Sequence, residues 1–203
     1  MDLDIKLPDT QRRAQHADWR TVADITADAF AEDPANLYVF GNPRAIRSMM
    51  RVVAREVYVP AGYSFIHGEL GATMWFPPGA AMRFGPLALL AFVLGVWRHG
   101  SKGAIRRAMV LSKQMAEHHP KEPHLYLFTI GTVSSARGQG IGKALLAPVL
   151  AACDAADVPV YLENSNPKNT GFYRAHGFDT ITTFCIGGDG PVIEPMWRTP
   201  DPA

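Results

Sequence analysis

Between residues 124 and 157 an apolar segment runs into a glycine-rich loop and then into a run of helix formers. The segment HLYLFTIGTV has the composition of a strand buried on both faces, and GKALLAPVLAACDAAD is typical of a helix. Glycine occupies every second position of the loop, at Gly138, Gly140 and Gly142. Such a turn aims several backbone N–H groups and the positive end of a helix at one point. The sequence therefore predicts a loop that binds a negatively charged group, and a diphosphate fits it best.

The spacing of this loop excludes two common phosphate-binding motifs. A Walker A loop needs glycine six residues before its lysine and a hydroxyl residue after it. Relative to Lys143, those positions hold Arg137 and Ala144. A dinucleotide-binding GxGxxG loop, counted from the first or the second glycine, needs a further glycine where Lys143 or Leu145 stands. Neither a nucleotide triphosphate nor a dinucleotide is the expected ligand.

The remaining segments alternate between helical and strand-like patterns, so the fold class is α/β (α+β). With 203 residues, 47% of them hydrophobic, the chain is long enough to bury a sizeable core. We expect a single domain over residues 1–203, with a mixed central β-sheet flanked by helices and a helical insert at about 86–118. The other segments are helices within 18–34 and 42–60, a β-hairpin over 62–78, a strand over 158–164, a short helix before Gly177, and closing strands over 180–186 and 191–198.

Charge, apolar runs and cysteines narrow the possible partners. The net charge of +1 gives no basic stripe for nucleic acid. The most apolar segment, PLALLAFVLGVW, is shorter than the roughly 20 residues that span a bilayer, so no membrane partner is expected. Cys153 and Cys185 form no CxxC or Cys/His cluster, and the N-terminal segment has no leader pattern. We expect no metal and a cytoplasmic location.

Two stretches together resemble the signatures of the GCN5-related N-acetyltransferase (GNAT) superfamily. The pattern Arg-x-x-Gly-x-Gly, from Arg137 to Gly142, resembles the family's acetyl-CoA pyrophosphate loop. The segment LENSNPKNTGFYRAHGF resembles its second signature, an Asn-containing loop and a short helix that ends in Tyr and Gly-Phe. Order and spacing match the family, and the resemblance is strong over about 124–184. The insert and the ending EPMWR resemble the puromycin-acetyltransferase-like branch.

The resemblance implies a GNAT fold and acetyl-CoA as co-substrate. In the family, the strand before the loop separates from the next strand, and its backbone pairs with the pantetheine arm of the cofactor. The family's asparagine loop corresponds to Asn166 and Asn169, and capping of the short helix would account for one of these two residues equally well. The residues that the resemblance assigns to acetyl-CoA are Ile130, Thr132, Arg137, Gly138, Gln139, Gly140, Ile141, Gly142, Lys143, Asn166 and Asn169.

Acyl transfer from a thioester to an amine needs a neutral amine and a proton for the departing thiolate. The resemblance puts Tyr173 beside the CoA sulfur, which makes it the candidate acid. Glu163 ends a buried strand beside the expected acceptor channel and is the candidate base. A water chain could also serve as the base. The other candidate bases are Glu32, Asp33, His67, Glu69 and His124.

The sequence constrains the acceptor of the acetyl group less than it constrains the cofactor. In the family the acceptor binds between the N-terminal helices and the far side of the central strands. No acidic cluster marks a polycation, so we expect a small, partly apolar primary amine, with a protein N-terminus or lysine and a non-catalytic CoA-binding module as alternatives. The identity of the amine, the length of the acyl chain, and a monomeric or homodimeric state stay open. Aromatic residues that could line its pocket, or could simply pack the insert, are Trp75, Phe76, Phe84, Phe92 and Trp97.

Overall fold

A mixed β-sheet organises the computed structural model, which describes residues 3–79 and 84–201. Its strands lie in the order β1-β2-β3-β4-β5-β8-β6, with β7 paired to β8. Among the strands of these ranges, β4 and β5 run parallel and the other pairs are antiparallel. The strands are β1 (Gln11–Arg13), β2 (Ser64–His67), β3 (Gly71–Phe76), β4 (Leu125–Thr132), β5 (Val160–Asn164), β6 (Asp179–Thr180), β7 (Phe184–Cys185) and β8 (Val192–Arg198). This matches the mixed sheet expected from the sequence.

Helices cover both faces of the sheet, and alternate strand residues point to opposite sides. On one face, Met74 and Tyr126 join a core formed largely by α1, α2 and α3. On the other face, Trp75 and Leu127 join a core formed largely by α6 and α7. The helices are α1 (Trp19–Ala29), α2 (Pro34–Phe40), α3 (Pro43–Val53), α4 (Pro86–His99), α5 (Ala104–His118), α6 (Ile141–Ala155) and α7 (Thr170–Arg174), and a π-helical turn (Ala54–Tyr58) continues α3.

The parallel pairing of β4 and β5 is short. It covers only the register pairs from Leu125 with Val160 to Leu127 with Leu162. Beyond Leu127, β4 stays paired with β3 through an irregularity opposite Met74, and it continues to Thr132. The two parallel strands therefore separate, as the resemblance implies, and leave a gap between them at the end nearest the glycine loop.

A short helix, α2, was not predicted from the sequence. We expected the first helical pattern to stop at Pro34, yet Pro34 is the first residue of a new helix, because proline's fixed φ suits that position. Asp33 caps this helix by accepting hydrogen bonds from the amide and the side chain of Asn36, at 2.8 Å each. The cap turns the chain sharply and leaves the Asp33 carboxylate buried.

The helical insert is present as α4 and α5, which span the expected range of 86–118. Its aromatic residues do not form one wall. Trp75 is buried in the core on the α6 face of the sheet, whereas Phe92 packs against Phe40 and Phe84. The side chain of Trp97 is 74% exposed. Packing therefore explains most of these rings, and among the described residues no helix is long and apolar enough to cross a membrane.

Two other expectations about the strands need correction. The closing segment 180–186 is not one strand, because β6 and β7 are separate two-residue strands that both pair with β8. Strand β1 was not predicted, and it adds to the sheet by pairing with β2. Cys153 is a buried free thiol, and Cys185 is a partly exposed one.

An ion pair fixes the end of α7 against α6 and β8. The guanidinium of Arg198 donates to both carboxylate oxygens of Asp154, at 2.6 and 2.8 Å, and its Nε donates to the carbonyl of His176 at 3.0 Å. Arg198 is largely buried, so this pair is partly shielded from solvent. The hydrogen bonds from Arg198 hold the pKa of Asp154 below its ordinary value of 3.8.

We predict that Asp154→Asn lowers the free energy of unfolding by about 2 kcal/mol near neutral pH, because a buried guanidinium loses its charged partner. A folded-state pKa below the unfolded one gives stability that is present above the unfolded value and lost as pH falls through the folded one. The difference between wild type and variant should therefore shrink in acid. Urea denaturation at about pH 7 and about pH 2 measures it.

The matched control is Asp24→Asn, because Asp24 pairs with Arg47 and Arg51 on the exposed surface. We expect it to cost no more than about 0.5 kcal/mol. Equal losses in the two variants would contradict the role assigned to Arg198 and Asp154.

Candidate active site

The glycine loop is built to present backbone amides. Gly138 and Gly140 have φ values of +79° and +78°, which side chains rarely allow, and no other atom lies within 4 Å of a Cβ placed at either one. Gly140 also caps α6. The amides from Gly138 to Lys143 donate no hydrogen bond to another residue in the described ranges. They form an open cradle at the N-terminus of α6, and this fits the diphosphate of a CoA cofactor.

Three elements converge beside the first turn of α6. A Cβ on Gly142 would lie 3.3 Å from the ring of Phe172 in α7 and 3.9 Å from Cδ1 of Ile130 in β4. Ile141 is buried against β3, so only its backbone faces the loop, while Thr132 ends β4 and is half-buried. The side chains of Gln139 and Lys143 are exposed. The structure thus gathers the predicted residues of β4 and of the loop at the open end of the gap.

Arg137 points away from the amide cradle. Its Nη2 donates to the carbonyl of Ala29 at 3.3 Å, and its Nη1 lies 3.7 Å from a carboxylate oxygen of Glu32. Nearby, the amide of Ser134 donates to the carboxylate of Asp28 at 2.6 Å. These contacts tie the start of the loop to the end of α1.

The two asparagines predicted to contact acetyl-CoA differ in their side-chain hydrogen bonds. The Asn166 side chain accepts a hydrogen bond from the amide of Lys168 at 3.1 Å, so it caps the short 3₁₀ turn before α7. This is the structural alternative that the sequence left open. Asn169 is exposed and makes no side-chain cap hydrogen bond.

Tyr173 lies on α7, in the core on the α6 face of the sheet. Its ring contacts those of Phe172 and Phe178, with centroids 5.3 and 5.9 Å away. Burial, together with the negative charge of Asp33, raises the pKa of Tyr173 above its ordinary value. The hydroxyl therefore keeps its proton at neutral pH, as a proton donor must. Asp33 is held at the end of β5 by a hydrogen bond of 2.7 Å from the hydroxyl of Ser165.

Glu163 lies on β5, and its side chain is only 4% exposed. Its Oε1 has no hydrogen-bond partner among the described residues and lies 3.6 Å from Nδ1 of His119. Tyr58, Tyr126 and Tyr161 surround it, and burial together with the charge of Glu163 raises the pKa of all three phenols. Glu163 is therefore a carboxylate in a pocket of aromatic rings, on the face of the sheet opposite Tyr173.

The other candidate bases lie in different parts of the structure. Glu32 is on the surface, 84% exposed. His67 ends β2 and Glu69 lies in the turn before β3, and both β3 and β4 lie between β2 and β5. Asp33 is buried near Tyr173, and His124 is buried beside His119.

Sequence reasoning missed His119 and the tyrosines around Glu163. Tyr161 and Glu163 occupy alternate positions of β5, and the register places Tyr126 beside Tyr161. This alternation indicates that Tyr161 and Glu163 point to the same face of the sheet, and it could have been recognised in the sequence. His119 follows the end of α5, and only the packing of the insert on the sheet brings it to Glu163.

The comparisons with known proteins agree with this geometry. The model of the Acetyltransferase (GNAT) family matches residues 91–178. An uncharacterized N-acetyltransferase of Schizosaccharomyces pombe is 25% identical over 208 residues, which cover 94% of this chain and 83% of the relative. A crystal structure from Corynebacterium glutamicum, described as histone acetyltransferase HPA2 and related acetyltransferase, is 27% identical with a TM-score of 0.68, covering 96% of this chain and 97% of its own.

A third protein shares the fold. The phosphinothricin acetyltransferase of Sinorhizobium meliloti, solved with acetyl-CoA, is 18% identical with a TM-score of 0.54, covering 94% of this chain and 87% of its own. The mixed sheet with its separated parallel strands, the amide cradle and these matches lead to one conclusion. They support membership of the GCN5-related N-acetyltransferase superfamily and an acetyl-CoA-dependent acetyltransferase activity.

Proposed function

We propose that the protein transfers an acetyl group from acetyl-CoA to a small primary amine, by direct attack of the amine on the thioester. Tyr173 is the acid that protonates the departing thiolate, and Glu163 is the base that takes the proton from the acceptor. This assignment of acid and base rests on one observation. A tyrosine that keeps its proton and a buried carboxylate lie on opposite faces of the sheet, around the two strands that separate.

The cofactor would occupy the gap between β4 and β5. In this proposal the amides from Gly138 to Lys143 hold the diphosphate, and the free stretch of β4, with Ile130 and Thr132, offers its backbone to the pantetheine arm. Asn166 and Asn169 follow β5, and they would meet the arm on that side of the gap. When bound, acetyl-CoA supplies the activated acetyl group.

The two proton transfers follow from the surroundings of each side chain. Burial keeps the phenol of Tyr173 protonated, so its O–H can donate to the sulfur as the C–S bond breaks. The CoA thiol has an ordinary pKa of about 8.5, so its thiolate needs only this one proton donor to leave. On the opposite face, Oε1 of Glu163 has no hydrogen-bond partner in the described ranges, and the carboxylate can accept a proton from the amine.

The rings around Glu163 favour a small acceptor. Tyr58, one of the rings around Glu163, stacks on Phe128 at a centroid distance of 4.4 Å and lies 4.6 Å from Phe76, so aromatic rings border this side of the sheet. Aromatic faces beside a carboxylate also suit an ammonium group. The relative described as a histone acetyltransferase keeps a protein or peptide acceptor as the second candidate.

An acceptor screen tests the proposed substrate class. Release of free CoA thiol is measured with a panel of small primary amines and, in parallel, with peptides that carry a free N-terminus or a lysine. We expect turnover with one or more of the amines. Turnover with peptides alone would overturn the small acceptor, and acetyl-CoA binding with no turnover on either panel would support the non-catalytic module instead.

We predict that Tyr173→Phe lowers kcat by about 10² to 10⁴-fold, because the ring and its packing remain while the donated proton is lost. The KM for acetyl-CoA should change little. Steady-state kinetics with the best amine from the screen measure both values.

The control is Tyr38→Phe, which removes an exposed hydroxyl bonded to Asp189 far from the gap. It should keep the wild-type kcat. A Tyr173→Phe enzyme that keeps full kcat while the chemical step limits the rate would return Tyr173 to a packing role.

A further inference from the structure

Hydrogen-bond partners determine which ring nitrogens carry protons in the pair of histidines beside Glu163. Nδ1 of His124 lies 2.7 Å from the backbone carbonyl of Glu122, which only accepts, so this nitrogen carries a hydrogen. His124 is buried, and burial lowers its pKa, so the ring is neutral at pH 7. Its Nε2 therefore holds a lone pair. That nitrogen lies 3.2 Å from Nε2 of His119, which must donate.

The same reasoning reaches Glu163. A neutral His119 that donates from Nε2 has a lone pair at Nδ1, and this atom faces Oε1 of Glu163 at 3.6 Å. A lone pair and a carboxylate oxygen repel each other. The arrangement is favourable when one proton lies between them, on either atom. A proton that arrives at Glu163 thus has a basic atom, Nδ1 of His119, beside it, and the two atoms move closer when the proton passes between them.

We propose that His119 relays the acceptor's proton from Glu163 to solvent, and that His124 positions His119 for this step. The inference rests on the proposed role of Glu163 as the base. The exposures of the two side chains support it: Glu163 is 4% exposed and His119 is 38% exposed. The buried base would otherwise retain its proton after each turnover, whereas an imidazole at the surface exchanges protons readily with water.

The steps balance in protons. An N–H bond of the ammonium breaks and an O–H bond forms on Glu163. That O–H bond breaks as Nδ1 of His119 gains a proton, and the imidazolium then releases one proton to water. Glu163 returns to the carboxylate and His119 to the neutral ring. After the attack the C–N bond has formed and the C–S bond breaks, the nitrogen loses its second proton, and Tyr173, which has given its proton to the sulfur, regains one. Each turnover therefore releases one proton to water, and no other reactant is needed.

Other titratable groups face this pair from the neighbouring elements. Tyr58, Tyr126 and Tyr161 come from the π-helical turn, β4 and β5, and burial keeps their phenols neutral. The charge of Glu122 acts on His124 from the exposed turn before β4. None of the three phenols offers a basic site at neutral pH, and the lone pair on Nε2 of His124 already accepts the hydrogen from His119. The basic atom that faces Glu163 is therefore Nδ1 of His119.

The test is chemical rescue. We expect His119→Ala to lower kcat by at least about tenfold, and added imidazole to restore kcat in a saturable way, because the site is open to solvent. His118→Ala is the matched control, since its ring stacks on Phe184 and its Nδ1 lies 2.8 Å from the carbonyl of Gln114. It should keep kcat and show no imidazole dependence. Thermal unfolding verifies that each variant folds, and His119→Gln replaces the alanine variant if needed.

Failure of the relay and failure of the proposed base give different results. If Glu163→Gln keeps full kcat, the assignment of the base is wrong. If Glu163→Gln is slow but His119→Ala is not, only the relay is overturned. If Glu163 is the base and His119 is the relay, the double variant should be no slower than Glu163→Gln, and imidazole should not change its kcat.

A separate measurement tests the positioning role of His124. In His124→Asn the ring of His119 is free to carry its hydrogen on Nδ1 and donate to Glu163, which stabilises the carboxylate. The ascending limb of the kcat–pH profile should therefore shift to lower pH. An unshifted limb, or one shifted upward, would contradict this role.

Discussion

Much of this structure depends on the incomplete pairing of two parallel strands. β4 and β5 share three register pairs and then separate, although backbone groups at the end of a buried strand normally need partners. Two close approaches hold β4 in this position. Gly131 lets α1 lie against one face, because a Cβ there would come within 2.7 Å of Ala29, and Gly71 does the same for Ile141 of α6 across β3. The gap is thus fixed by the pairing of β4 with β3 and by the helices on either side.

The same gap lies between two chemically different halves of the core. One half carries Tyr173, a buried phenol that keeps its proton, and the other carries Glu163, a buried carboxylate within a ring of tyrosines. A thioester between them would have a proton donor on one side and a proton acceptor on the other. The chain from α1 to α2 bridges the halves, because Asp28 bonds the start of the loop and Asp33 bonds the end of β5.

Local patterns in the sequence predicted the elements near the loop, and packing decided the rest. The strand, the glycine loop and α6 follow from apolar runs and glycine spacing, which act over a few residues. The start of α2 at Pro34 was missed because proline both ends one helix and begins another. His119 was missed for a different reason. Its contact with Glu163 joins the end of the insert to β5 across 44 positions of sequence, from 119 to 163, and no local pattern reports such a contact.

A crystal structure of the protein with bound CoA would test the central claim, that the gap between β4 and β5 holds the cofactor between acid and base. We expect the diphosphate on the amides from Gly138 to Lys143, and the sulfur in the gap about 3.5 Å from the hydroxyl of Tyr173, with Glu163 on the opposite face. A diphosphate elsewhere, or a sulfur remote from Tyr173, would contradict the account.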